Sequence, residues 1–172
     1  MAKQDMEKVR KVSNDHIDSQ SKELQTQINK KMHENPEICW EEKIAHDSMV
    51  GYLTAAGYKV TPHAYGVETS FEATAGSGGR QIVICAEMDA LPKIGHGCGH
   101  NLIATSSVAA FIGAAQALEK LKIPGRLKLL GTPAEEEGGG KALLLEKGAF
   151  KPHDQVAAAI MSHGMPKHAL GV

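Results

Sequence analysis

The sequence predicts an α/β fold built on a largely parallel sheet, and three observations lead there. Apolar strand-like runs at 81–86, 126–130 and 156–161 alternate with helical patterns, as parallel strands require, because each needs a crossover connection. Each run ends in residues able to do chemistry, namely Glu87 through His100, then Glu135-Glu136, then Ser162-His163; in such sheets sites gather beyond the carboxyl ends of the strands. At 172 residues the chain can bury one sizeable core and is too short for two ordinary domains.

The elements follow in order. Residues 5–33 carry Ile17, Leu24, Ile28 and Met32 at spacings of seven and four among many charges, which predicts one amphipathic helix on the domain surface. Asn35-Pro36 breaks it. A second helix spans 41–56, with Ile44, Ala45, Met49, Tyr52, Leu53 and Ala56 on one face, and Gly57 suits its C-terminal cap. Strands are expected at 58–60 and 69–74, a turn at 76–79 and a buried strand at 81–86. The Ala-, Gly- and Ser-rich stretch 102–121, with Val108, Phe111, Ile112 and Leu118, fits a helix packed closely on a sheet, and Pro124-Gly125 closes it. A strand at 126–130, a short helix at 140–147 and a strand at 156–161 complete the reading. No internal repeat, low-complexity tract or interdomain linker is visible.

Composition narrows the function classes. Lys plus Arg total 19 against 20 Asp plus Glu, a formal net charge of −1, so no global pull toward nucleic acid or an anionic membrane is expected. No apolar stretch is expected to reach the roughly 18 to 20 residues of a membrane span. The polar start Met1-Ala2-Lys3-Gln4-Asp5 is unlike a signal or transit peptide, which makes cytoplasmic the default expectation. Cys39, Cys85 and Cys98 are an odd number without framework spacing, which fits reduced thiols better than disulfides. Cys39 and Cys85 are assigned to packing.

Cys98 and His100 lie two residues apart in the turn Gly95-His96-Gly97-Cys98-Gly99-His100-Asn101. Thiolate, imidazole and carboxylate are the usual zinc ligands, and a catalytic site keeps one position open for water. Alone, the pair could equally be a redox or structural zinc element. Glu135-Glu136-Glu137 alone could be a solvated run or the acidic first turn of a helix. Their recurrence at successive strand ends favours one shared centre.

The run Glu87-Met88-Asp89-Ala90-Leu91-Pro92 through His96-Gly97-Cys98-Gly99-His100-Asn101, with Gly131-Thr132-Pro133-Ala134-Glu135-Glu136-Glu137-Gly138, strongly resembles a dinuclear-zinc metallopeptidase family. That family holds the aminoacylases, auxin-conjugate amidohydrolases and glutamate-releasing carboxypeptidases, and the aminoacylase-1-like β-alanyl-lysine dipeptidases are the nearest branch. His33-Glu34-Asn35-Pro36-Glu37, followed by Glu41-Glu42, is similar to its N-terminal signature.

The resemblance implies a three-layer zinc-peptidase-like catalytic domain, a sheet flanked by helices, incomplete at its C-terminus. It implies Cys98, His100, Glu136 and His163 as metal ligands and Glu135 as the general acid/base. Asp89 would orient a ligand, Glu87 would do the same or be structural, His96 would hydrogen-bond within the turn, and Glu137 has no part. The cofactor implied is one or two Zn²⁺ ions, with Mn²⁺ as a variant. The substrate would be a small dipeptide, β-alanyl-lysine-like, or an N-acyl amino acid; nucleic acid and membrane are not expected partners. A complete family member would be a homodimer. The chain would be the N-terminal portion of the catalytic domain, the lid and dimerisation domain and the last catalytic segment lying beyond Ala169-Leu170-Gly171-Val172. A truncated, non-catalytic metal-binding product, or a partner of a full-length subunit, is the alternative.

Overall fold

A computed structural model describes residues 3–164; the final residues 169–172 lie outside them. Helices α1 (Lys3–Leu24), α2 (Lys30–Glu34) and α3 (Lys43–Ala55) precede strands β1 (Lys59–Pro62), β2 (Phe71–Ser77) and β3 (Gln81–Glu87). Helix α4 (His100–Leu121), strand β4 (Gly125–Thr132), helix α5 (Gly140–Glu146) and strand β5 (Val156–Ile160) follow. The strands form one five-stranded sheet in the order β1-β2-β4-β3-β5. β3 pairs in parallel with both β4 and β5, whereas β2 is antiparallel to β4 and to β1. Only β2 therefore runs against the others, and the sheet is mostly parallel.

Alternation along the strands builds two cores. Ile84, Ala86, Leu127 and Leu129 face Leu24, Ile28, Met32, Met49, Leu53 and Phe111 on the α1, α3 and α4 side. Val83, Cys85 and Leu130 face Leu144 and Ala149 on the α5 side. Successive side chains of a strand point to opposite faces, so helices cover both faces in three layers. Each large side chain buried this way contributes about 1.5–3 kcal/mol, and the first cluster holds most of them, both fully buried phenylalanines, Phe71 and Phe111, included. Lys128, buried on the α5 face, is accommodated by Glu72 Oε2 (2.9 Å), the Tyr65 hydroxyl (2.8 Å) and the Ala149 carbonyl (2.9 Å).

The N-terminal helix differs from a simple amphipathic rod. Its α1 and α2 parts are joined by a π-helical turn, Gln25–Asn29, where Thr26 Oγ1 bonds the Lys22 carbonyl at 2.8 Å. The spacing of four between Leu24, Ile28 and Met32, all buried, suits either helix type, so periodicity could not reveal the wider turn. Strand β2 starts two residues later than expected and runs into the expected turn, because Gly76 and Ser77 pair with Arg126 and Gly125. On α3, Ile44 is exposed: the Glu37 carboxylate accepts the Ile44 and Ala45 amides at 2.9 and 3.0 Å and holds the first turn from outside.

By length and composition α4 is long and apolar enough to cross a membrane, contrary to the expectation that no stretch approaches this. Its apolar face is occupied by the fold: Val108, Phe111 and Ile112 are buried against the sheet side, which is the behaviour of a core helix.

Two glycines separate packing from propensity. A Cβ at Gly131 would overlap the Phe71 ring and lie 2.9 Å from Met88 Cε, whereas one at Gly51, inside α3, meets nothing within 4 Å. Gly131→Ala is expected to cost about 1–3 kcal/mol through overpacking, and Gly51→Ala to gain about 0.5–1 kcal/mol from helix propensity. Thermal melts of the two variants should therefore move in opposite directions.

Candidate metal centre

The carboxyl ends of β3, β4 and β5 converge on His100, the first residue of α4. Gly99, with φ 90°, turns the chain into the helix, and its amide donates to the His96 carbonyl at 3.1 Å. Cys98 and His100 are thus held on a tight turn rather than a free loop. The His100 ring is fully buried, with Nδ1 2.8 Å from the Asp89 carbonyl and 3.2 Å from Asp89 Oδ1. A carbonyl only accepts, so Nδ1 carries the proton and Nε2 presents a lone pair in the neutral ring.

That lone pair points into a cluster of acids. His100 Nε2 lies 3.4 Å from Glu87 Oε2, 3.7 Å from Glu136 Oε1 and 3.9 Å from Glu135 Oε2. Both His100 Nε2 and Glu87 Oε2 are buried without a hydrogen-bond partner, and a buried group left so costs about 1–3 kcal/mol. Ligand atoms of Cys98, His100 and Glu136 lie within 4.8 Å of one another, as do those of Glu87, His100 and His163. Two unpaired buried ligand atoms surrounded by soft and hard donors are what a divalent cation fits.

The remaining expected residues fall as follows. His163 is exposed after β5, its ring edge-on to His100 with centroids 5.9 Å apart. Ser162 Oγ meets Ser106 Oγ at 3.0 Å, which joins the end of β5 to α4. Glu135 stays about a third exposed, at 35% of its side chain, and Glu137 faces solvent. Asp89 Oδ2 accepts the Glu136 amide at 3.0 Å. His96 Nδ1 is buried without a hydrogen-bond partner, and His96 belongs to neither ligand group.

Electrostatics follow from burial and neighbours. Burial opposes the Asp89 charge, but the His100 hydrogen bond and the Glu136 and Glu135 amides outweigh it and hold the carboxyl below its usual range. Burial likewise opposes a charged His100, yet the hydrogen bond and charge of Asp89, with Glu87, raise its pKa. Burial, then Glu136 beside it, pushes the Cys98 thiol up to about 11. A bound cation is what would draw out its thiolate.

Two groups were not visible as site residues in the sequence. Lys141, at the start of α5, pairs with Glu87 Oε1 and lies 3.8 Å from Glu135 Oε1; it offsets the crowd of carboxylates, and only the return of α5 over β3 brings it there. Glu42, fully buried, accepts the Ala134 amide at 2.8 Å, the Trp40 amide at 3.0 Å and the Thr69 hydroxyl at 2.8 Å. Burial pushes its pKa up, against these hydrogen bonds. The loops interlock there, since a Cβ on Gly138 would meet Cys39 Sγ at 2.5 Å and Ala134 Cβ at 2.6 Å.

The chain is similar to known proteins. Residues 83–172 match the sequence profile of peptidase family M20/M25/M40. The chain is 42% identical to a Xaa-Arg dipeptidase of Mus musculus over 147 residues, covering 78% of this chain and 33% of that protein. It is 30% identical to one of the subunits of p-aminobenzoyl-glutamate hydrolase of Escherichia coli over 175 residues, covering 92% and 36%. The chain thus spans about a third of the length of these relatives. The crystal structure of the Bacillus subtilis YXEP protein, a dinuclear metal-binding peptidase, aligns with a TM-score of 0.69 at 22% identity over 81% of this chain and 42% of that one. Human carnosine dipeptidase 1 aligns at 0.60 and 18% identity over 92% and 42%. Both structures show the shared fold.

Asp89→Ala removes the Oδ1 contact to the His100 ring, leaving only the bond to the backbone carbonyl, and frees the Glu136 amide. Loss of such an orienting partner typically costs about 10- to 100-fold in metal affinity. Zinc titration against a competing chelator should register a drop of about that size, and an unchanged affinity would remove Asp89 from the centre.

Proposed function

This chain belongs to peptidase family M20/M25/M40, and on that premise we propose that it carries the metal centre of an amide-bond hydrolase. Cys98, His100, Glu136 and His163 would bind one or two ions, zinc or manganese, and Glu135 would be the general acid/base. The carrying observation is the pair of buried, unpartnered atoms, His100 Nε2 and Glu87 Oε2, beside thiol and carboxylate donors at the strand ends. Thiolate with imidazole leans toward zinc, while the carboxylates also suit manganese.

A divalent ion supplies a lowered pKa for water and a polarised scissile carbonyl. The rest falls to the chain. Asp89 keeps the Nδ1 proton on His100, so that Nε2 stays a ligand. Glu136 is held by its amide, leaving its carboxylate to bind. Glu135, more exposed than Glu136, is free to take a proton at Oε2 and return it to the leaving amine. Lys141 holds Glu87 Oε1, and Oε2, which has no partner, would be available to the ion.

The substrate class is a small dipeptide or an N-acyl amino acid, a β-alanyl-lysine-like dipeptide or one with a C-terminal arginine being the first choice given the similarity to the Xaa-Arg dipeptidase. A second reading is metal binding without turnover. Hydrolysis of β-alanyl-lysine, Xaa-Arg dipeptides and N-acyl amino acids, with zinc or manganese and a chelator control, separates the two. Turnover that the chelator abolishes supports the hydrolase, and folded, metal-loaded but inert protein supports the second reading.

Paired substitutions test the roles. Glu135→Gln is expected to keep its metal and lose about 10²- to 10⁴-fold in kcat, whereas Glu136→Ala is expected to lose metal outright. Full turnover in the first variant, or full metal content in the second, would sink the corresponding assignment.

A further inference from the structure

We infer that Glu42 is the positioning residue of this centre, setting where Glu135 and Glu136 stand relative to Cys98 and His100; the inference rests on the metal-centre reading. Its carboxylate is fully buried, and among the described residues no Lys, Arg or His forms an ion pair with it. A carboxylate kept there without a counter-charge is retained for the bonds it accepts.

Those bonds are selective. One oxygen, Oε1, takes both the Trp40 and the Ala134 amides, while Oε2 takes the Thr69 hydroxyl. Trp40 and Ala134 both sit in the left-handed region, at φ 68° and 55°, a conformation that side-chain-bearing residues keep only when their surroundings enforce it. Ala134 immediately precedes Glu135, and its carbonyl accepts the Gly140 amide at 3.1 Å. The acidic loop and the start of α5, which carries Lys141, therefore both hang from a residue whose amide Glu42 holds. Asp89 holds the same loop two residues on, at the Glu136 amide. With both ends pinned, the two glutamates cannot shift along the strand axis independently of His100.

Reach and acceptor geometry, rather than charge, are the properties at work, and this makes the role testable by zinc affinity. Glu42→Gln keeps an oxygen for both amides, with the Thr69 hydroxyl free to accept from the new NH₂ group. Glu42→Asp keeps the charge but falls a methylene short, and Glu42→Ala removes the acceptor. Zinc competition titrations of this chain should place Glu42→Gln within about threefold of wild type and weaken Glu42→Asp and Glu42→Ala by about tenfold or more. Val108→Ala, a core truncation on α4 away from the loop, serves as the control for a general loss of stability and should bind zinc as wild type does. Where Glu42→Ala does not fold, the Gln and Asp variants carry the comparison. Hydrogen exchange of the wild type gives an independent reading, since the Ala134 amide should be protected without metal.

Wild-type affinity in Glu42→Asp, weakening in Glu42→Gln equal to that in Glu42→Asp, an equal loss in Val108→Ala, or an unprotected Ala134 amide would each overturn the inference. Failure of the underlying reading looks different: wild type takes up no zinc, or Glu136→Ala binds it undiminished.

Discussion

Asp89 is the contact on which the rest of the site depends. It leaves the end of β3, fixes the first residue of α4 through two bonds to the His100 ring, and accepts the Glu136 amide from the loop after β4. The ends of β3 and β4 and the start of α4 meet at this one buried residue. Hydrogen bonds to a charged group contribute about 1.5–3 kcal/mol each, enough to outweigh its burial, and its lowered pKa records that balance. Because the same contact assigns the proton of the neutral ring to Nδ1, geometry and tautomer at His100 are settled together.

What Asp89 gathers is otherwise unfavourable. Glu87, Glu135 and Glu136 crowd one imidazole nitrogen within 3.9 Å, and like charges brought together out of water repel unless a cation answers them. Lys141 answers part of the demand, at Glu87 and Glu135. Rigid backbone holds the rest in place: left-handed Ala134 and Trp40, the Gly99 turn, and loops packed so closely at Gly138 that no side chain fits. Features that cost stability locally and recur around one point are the mark of a site maintained for its chemistry.

Sequence pattern exposed the parts of this architecture whose logic is local. β3, β4 and α4 each carry a long apolar signal, and they fall within two residues of their expected ends; Cys98, His100, Glu135 and Glu136 stand out because ligand-type residues follow those strands directly. Glu37 and Glu42 stand in the N-terminal signature, but what they do was hidden for the opposite reason. Both act on amides brought to them by tertiary structure, and Glu37 caps α3 although capping rules look to the residue at the helix boundary, here Glu42. Lys141 reads as an ordinary first-turn lysine until α5 folds back over β3. The π turn at 25–29 is invisible to a spacing of four, yet it presents Asn29, whose Oδ1 accepts the Asn101 amide group at 2.7 Å, beside the residue that opens α4.

Stability and chemistry are coupled at this centre. His100 Nε2 and Glu87 Oε2 stand buried without partners, at a cost of about 1–3 kcal/mol for each. An ion that binds only the folded chain adds RT ln(1 + [L]/Kd), about 2.7 kcal/mol at a hundredfold excess over Kd, so one ion at modest affinity offsets a cost of this size. The elements that would feel it are the ends of β3 and β4, the start of α4 and the loop carrying Glu135 and Glu136, all tied to Asp89 or Glu42. The α1 and α3 packing, built on Ile28, Met32, Met49 and Leu53, owes nothing to these groups. A metal-dependent gain in stability would therefore be graded across the fold, greatest where the strands end and least on the far face of the helices.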